Sequence, residues 1–252
     1  MTFQDHFSSL ATDYARYRPR YPEALFSYLS GVAPGRSLAW DCATGSGQAA
    51  LGLAGFFERV IATDASEAQL AQAEPHPRVE YRVAPAEASG LTAASVDLVT
   101  VAQALHWFDL EKFYAEVRRV ARPGGVLAVW AYALFRCEPA VDAAIEDFYE
   151  GTLGDYWTPE RRLVEQGYRT LPFPFREGKP PEFAMESRWG LAQVLGYLGT
   201  WSALKRYREA RGRDPLPELA EKLHAAWGKE EIRTLRWPIF LRWGVVTGEG
   251  DS

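Results

Sequence analysis

Residues 41–48 read Asp-Cys-Ala-Thr-Gly-Ser-Gly-Gln, and Asp64 stands nineteen positions after Gly45. Two glycines this close remove Cβ atoms where a backbone must turn sharply, and they let a ligand approach bare N–H groups. A carboxylate at the end of the next strand can accept hydrogen bonds from both hydroxyls of a ribose. Together, glycine loop and acid point to a nucleoside-bearing ligand. The glycines leave its identity open, because Gly45-Ser46-Gly47-Gln48-Ala49-Ala50 also fits the G-x-G-x-x-G/A pattern of dinucleotide binders.

Such a loop works only if strands and helices hold it. Apolar β-type runs at 37–42, 60–63, 79–83, 96–102 and 126–131 alternate with amphipathic stretches, which predicts βαβ units feeding a mainly parallel sheet. Leu110, Phe113, Tyr114, Val117, Val120 and Ala121 form the apolar stripe of a sheet-packed helix. Asp109 is its expected N-cap, and Pro123, Gly124 and Gly125 its expected stop. Further on, 138–170 read as helical, 183–188 as a sixth strand, and 191–227 as an aromatic-rich helical stretch broken by Gly212, Pro215 and Pro217. A seventh strand is expected at 239–246, with Pro238 at its start, where a missing N–H does no harm. With no repeat or low-complexity linker, the helical stretches are expected as insertions in one domain.

Composition removes several classes of function. A chain of 252 residues with 47% hydrophobic and 24% charged residues describes a globular core, and excludes disorder or a fibrous repeat. The net charge of −5 argues against a protein built on phosphate-backbone contacts, so no nucleic-acid partner is expected. Cys42 and Cys137 cannot build a disulfide scaffold, and His6, His76, His106 and His224 are far apart in sequence; no metal site is expected. With neither a signal peptide nor an 18-residue apolar window, a cytoplasmic protein without membrane contact is expected.

Further motifs follow the loop in order: Thr63-Asp64-Ala65-Ser66, Ala86-Glu87, Ser95-Val96-Asp97-Leu98-Val99 and Arg122-Pro123-Gly124-Gly125. With Asp-x-Ala-x-Gly-x-Gly at 41–47, this series resembles the class I S-adenosylmethionine-dependent methyltransferases. Tyr14-Ala15-Arg16-Tyr17-Arg18-Pro19 with Tyr21-Pro22, Gln103-Ala104-Leu105-His106-Trp107-Phe108 and Thr200-Trp201-Ser202 resemble, more narrowly, the trans-aconitate methyltransferase-like group. The resemblance covers nearly the whole chain. It implies an α/β, Rossmann-like, seven-stranded and mainly parallel sheet with its last strand antiparallel, helices on both faces, and helical insertions capping the substrate site. As one domain, 1–36 would be lid and first helix, 37–135 the cofactor core, 136–230 the capping insertions, and 231–252 the final strand and tail.

The same resemblance implies S-adenosylmethionine as cofactor. Asp41, Ala43, Thr44, Gly45 and Gly47 would line its methionine part, Asp64 would hold the ribose, Ala65 would flank the adenine, and Ala86 and Glu87 would meet its edge. Gln103 would sit by the methionine carboxylate or the reacting methyl. Of the expected lid, Tyr17 and Arg18 would touch the cofactor and Tyr14 the substrate; the Arg18 guanidinium suits a carboxylate of either the cofactor or an acidic substrate, with a solvated surface arginine as the alternative. Two departures stand out: Ala43 replaces a common glycine, and Pro85 replaces a polar residue near the adenine.

Methyl transfer from a sulfonium is an in-line displacement, so holding nucleophile, carbon and sulfur collinear supplies much of the rate, about 7–11 kcal/mol in favourable cases. A carboxylate acceptor, which the nearest resemblance implies, needs no base; a hydroxyl does, and His106 is the candidate. The alternative is that His106 caps its own loop through the backbone, and Trp107 either packs beneath that loop or walls the substrate pocket. Tyr197 and Trp201 are candidate substrate contacts, with core packing as the alternative. A small-molecule acceptor and a monomer or homodimer are expected. Two rivals share the cofactor motifs, a nicotinamide-dependent oxidoreductase and a non-catalytic S-adenosylmethionine binder.

Overall fold

In the computed structural model, residues 19–247 are described. Five strands run parallel: β1 (Leu38–Cys42), β2 (Arg59–Asp64), β3 (Val79–Val83), β4 (Val96–Ala102) and β5 (Ala121–Tyr132). Beside β5 lies β8 (Arg233–Val245), antiparallel to it, and the outer edge of β8 is shared by β6 (Arg176–Glu177) and β7 (Phe183–Trp189). The order β3-β2-β1-β4-β5-β8 followed by that shared rank makes seven ranks, mostly parallel, as expected. The chain leaves β1 toward β2 and β3, then returns to the far side of β1 as β4. This reversal opens a crevice at the carboxyl ends of β1 and β4, where open α/β sheets bind ligands.

Burial of β1, β2, β4 and β5 on both faces explains their unbroken apolar runs. Along β5, Val126, Ala128, Trp130 and Tyr132 enter one core, while Leu127, Val129 and Ala131 enter the other. The first core is filled by α1 (Glu23–Val32) and α2 (Gln48–Ala54), and the second by α4 (Leu110–Val120). Between them in sequence, α3 (Glu67–Leu70) follows β2. Asp109 caps α4 as expected, its side chain accepting from the Lys112 N–H.

Several boundaries differ from expectation. The 121–125 segment does not stop α4 with a turn: β5 begins at Ala121, and Gly124 (φ +76) absorbs the irregular pairing within the strand. The final strand begins at Arg233, so Pro238 lies inside it. The Pro238 carbonyl accepts from the Ala133 N–H, and its ring nitrogen faces the same side, just past Tyr132↔Ile239, the last β5 pair; no rung against β7 is lost. Residues 138–170 break into α5 (Pro139–Glu146), a wider turn through Asp147–Thr152, a short turn at Gly154–Tyr156, and α6 (Arg161–Glu165). The 191–227 stretch divides into α7 (Leu191–Gly199), α8 (Ser202–Arg211) and α9 (Leu216–Trp227). Gly212 ends α8 in the left-handed region, whereas Pro217 breaks nothing because it sits in the first turn of α9.

Candidate active site

The loop between β1 and α2 carries three residues at positive φ: Ala43 (+53), Gly45 (+58) and Gly47 (+85). Asp41 anchors it from below. Its carboxylate, 1% exposed, accepts from Thr44 Oγ1 at 2.5 Å, Thr100 Oγ1 at 2.7 Å and the Ala50 backbone N–H. Gly47 has no side chain to cap α2, so Asp41 supplies the negative oxygen at that helix start instead. Burial nevertheless outweighs those donors and pushes the Asp41 carboxyl up to about 6.

Asp64 ties the loop to the end of β2. Its Oδ2 accepts from the Gly45 N–H at 2.8 Å and its Oδ1 from the Ser66 N–H at 2.9 Å, while the Thr44 N–H donates to the Thr63 carbonyl. These two bonds fix the orientation of the carboxylate at the strand end, where its oxygens can only accept. The two glycines serve different ends. A Cβ at Gly47 would come 2.5 Å from Tyr81 Oη, whereas one at Gly45 would meet only Gln69 Oε1, at 3.9 Å. Gly45 therefore leaves a cradle that its own side chain would fill. Ala65 is exposed beside it, and Ala86 is buried in the loop after β3. The Glu87 carboxylate accepts from the Asp109 N–H at 3.1 Å, which spends one of its oxygens on joining that loop to the one after β4.

At the end of β4, Gln103 also adopts a left-handed backbone (φ +58); its N–H donates to the Trp130 carbonyl and its Nε2 to the Tyr132 carbonyl. Left-handed Ala43 and Gln103 thus end two neighbouring strands at the crevice. Strain of this kind, about 1–3 kcal/mol per residue, persists only where surrounding structure holds it, as it does here on both sides. Next along, Trp107 is 41% exposed, so it stands on the rim and does not pack beneath the loop. The His106 ring lies 4.6 Å from the Trp107 ring, and its Nδ1 is 2.9 Å from Tyr168 Oη. Burial, reinforced by nearby Arg161, pulls the His106 imidazole down to about 4, so the ring is neutral at physiological pH.

Tyr197 and Trp201 are 4% and 6% exposed, and lie in a ring cluster with Phe135, Trp189 and Trp237; Tyr197 Oη accepts from Trp237 Nε1 at 3.3 Å. Tyr14, Tyr17 and Arg18 fall outside the described residues. Tyr21 packs edge-on against Trp130, 5.5 Å between ring centres. Thr100, Tyr168 and Arg161 were not anticipated. A threonine inside an apolar parallel strand was the available signal for Thr100, while nothing local marks Tyr168, 62 residues from its partner His106. Arg161 lies over the Tyr149 and Trp157 rings, at 5.4 and 4.9 Å. Among the described residues no cluster fit for a metal ion is found, and no helix is long and apolar enough to cross a membrane.

A sheet with a strand-order reversal, a glycine loop over a buried acid, and a second acid at the adjoining strand end define a nucleoside-binding α/β fold. A methyltransferase domain model matches residues 40–129, the segment that carries this site. A protein of Dictyostelium discoideum bearing a methyltransferase name is 35% identical over 247 residues, covering 95% of this chain and 94% of its own. The solved structure of a protein named as a type II methyltransferase from Anaeromyxobacter dehalogenans is 56% identical, covers 91% of this chain and 98% of its own, and superposes with a TM-score of 0.87. Phosphoethanolamine N-methyltransferase 2 of Haemonchus contortus, solved with phosphomonomethylethanolamine and S-adenosylhomocysteine, is 16% identical, covers 98% of this chain and 61% of its own at a TM-score of 0.50, and shares the fold alone. The chain belongs to the class I S-adenosylmethionine-dependent methyltransferases. As a member of that family it is an enzyme with S-adenosylmethionine as cofactor, which answers the dinucleotide alternative raised by its glycine pattern.

Proposed function

We propose that this enzyme transfers the methyl group to a carboxylate oxygen of a small-molecule acid. The observation that carries this reading is the state of His106. An acceptor hydroxyl would have to lose a proton, and the imidazole beside the β4 rim, drawn down to about 4, is a poor base for that at neutral pH. A carboxylate has no proton to lose. The narrower kinship to the trans-aconitate methyltransferase-like group rests on the motifs at 14–22, 103–108 and 200–202 and points the same way.

In this reading Asp41, Ala43, Thr44, Gly45 and Gly47 hold the methionine part of the cofactor, Asp64 takes the ribose, Ala65 flanks the adenine, Ala86 and Glu87 meet its edge, and Gln103 orients the methionine end. The bound cofactor supplies an electrophilic methyl on a positive sulfur. The chain's own groups supply position and a site that excludes water, with Trp107 as one wall of the acceptor pocket and 1–36 and 136–230 as its covers within one domain. Following S-adenosylhomocysteine release over a panel of small carboxylic acids and aromatic hydroxyl compounds tests the proposal. Turnover is expected with acids, at a rate flat between about pH 6 and 8. Turnover confined to hydroxyl compounds, with a rising limb in that window, would overturn it.

A further inference from the structure

We propose that Tyr168 is a positioning residue that holds His106 in the Nε2–H tautomer, so that the imidazole offers the acceptor a hydrogen-bond donor and no base. Which nitrogen of a histidine carries the proton is set by what its other nitrogen binds. Here Nδ1 faces the Tyr168 hydroxyl at 2.9 Å. Tyr168 is fully buried, and its phenol oxygen already takes a hydrogen bond from the Leu105 backbone. The phenol proton therefore needs an acceptor, and a buried donor without one costs about 1–3 kcal/mol. His106 Nδ1 is the acceptor within reach, which leaves the ring proton on Nε2.

The fold goes to some length to deliver that phenol. Tyr168 has a left-handed backbone (φ +60) and follows Gly167 (φ +59), where a Cβ would come 2.7 Å from Phe240 of β8. Its N–H donates to the Leu163 carbonyl at 2.9 Å, and its carbonyl accepts from Arg242 Nη1 at 2.6 Å. A phenylalanine would fill the same space, so packing alone does not call for the oxygen. The other charges acting on His106 are Arg161, which resists protonation of the ring, and Glu160, which favours it more weakly.

This deepens the reading of the β4 rim as the acceptor site and rests on it. A neutral Nε2–H can donate to a negative oxygen but cannot take a proton, so it suits an acceptor that arrives already ionised, which selects acids over alcohols and phenols. Long-range proton–nitrogen NMR of the uniformly nitrogen-15-labelled, cofactor-free protein reads the tautomer directly, with a His106→Gln sample to assign the signal. Wild type is expected to show a protonated Nε2 and a bare Nδ1 from about pH 6 to 8. Tyr168→Phe is expected to lose that fixed pattern and show both tautomers. A protonated Nδ1 or a cationic ring in wild type would overturn the proposal, as would an unchanged pattern in Tyr168→Phe; should that variant fail to fold, the wild-type spectrum decides. Calorimetric titration with S-adenosylhomocysteine separately tests the cofactor site, so failure there leaves the tautomer result standing.

Discussion

Asp41 carries a charge into a place that resists it. Its folded carboxyl titrates near about 6 against 3.8 for the free side chain. Between those values the folded state binds more protons than the unfolded one, so stability falls as pH rises through the window, by about 3 kcal/mol in all. Urea unfolding from pH 4 to 7 is expected to show this slope in wild type and to show it flattened in Asp41→Asn. Cofactor binding places positive charge nearby and favours the ionised form, so affinity for S-adenosylmethionine is expected to rise over the same range; a titration flat in pH would count against Asp41 lining the methionine end. Asp64 gives a second test. Asp64→Ala is expected to weaken S-adenosylhomocysteine binding by about 1–3 kcal/mol in calorimetry, the range for hydrogen bonds to a charged group. Both acids were legible in the sequence because each closes a strand beside a marked loop. Thr100 and Tyr168 were not, since what they do depends on atoms brought close from 59 and 62 residues away.

The β1–α2 turn shows how one short element divides its labour. Gly45→Ala forces a side chain to φ +58 but meets no protein atom closer than 3.9 Å, so it is expected to cost about 1–2 kcal/mol of stability and far more in cofactor affinity. Gly47→Ala adds a contact of 2.5 Å with Tyr81 Oη to the strain at φ +85, so it is expected to lower the melting temperature more than Gly45→Ala does. Thermal melts and calorimetry on the two variants check the contrast; equal losses of affinity and stability in both would refute it. The strands and α4 were readable because burial on one or both faces imposes a period of 2 or 3.6 on the local sequence. The ends of β5 and β8 were misjudged for a related reason. Proline and glycine ordinarily signal breaks, but Gly124 sits where β5 pairs irregularly, and Pro238 presents its missing N–H to a side where β5 has already ended. Pairing partners decide such cases, and they are not local.

Over the whole molecule, the helices between β5 and β8 and the sheet share one apolar core: Leu25, Leu53 and Trp130 belong to the same cluster as Tyr197, Trp201 and Trp237. Those helices and the sheet are therefore expected to unfold together, in a single urea transition seen equally by tryptophan fluorescence and far-ultraviolet circular dichroism; two separated transitions would show an autonomous helical unit. Trp201→Ala is expected to cost about 3–5 kcal/mol in that same unfolding experiment, as for other large aromatic truncations in cores. An unchanged midpoint would return Trp201 to the substrate pocket. The excess of aromatics in the second half was plain from composition, but their use was not, because a ring that walls a pocket and a ring that fills a core look alike along the chain. By itself the sequence determined the sheet, the glycine loop and the two acids beside it, since periodicity, glycine and charge are read residue by residue against a near neighbour. Only the tertiary structure decided which rings are buried, which oxygen reaches His106, and that the Trp107 ring stands at the rim, because burial and hydrogen bonding belong to distances across the folded chain and not along it.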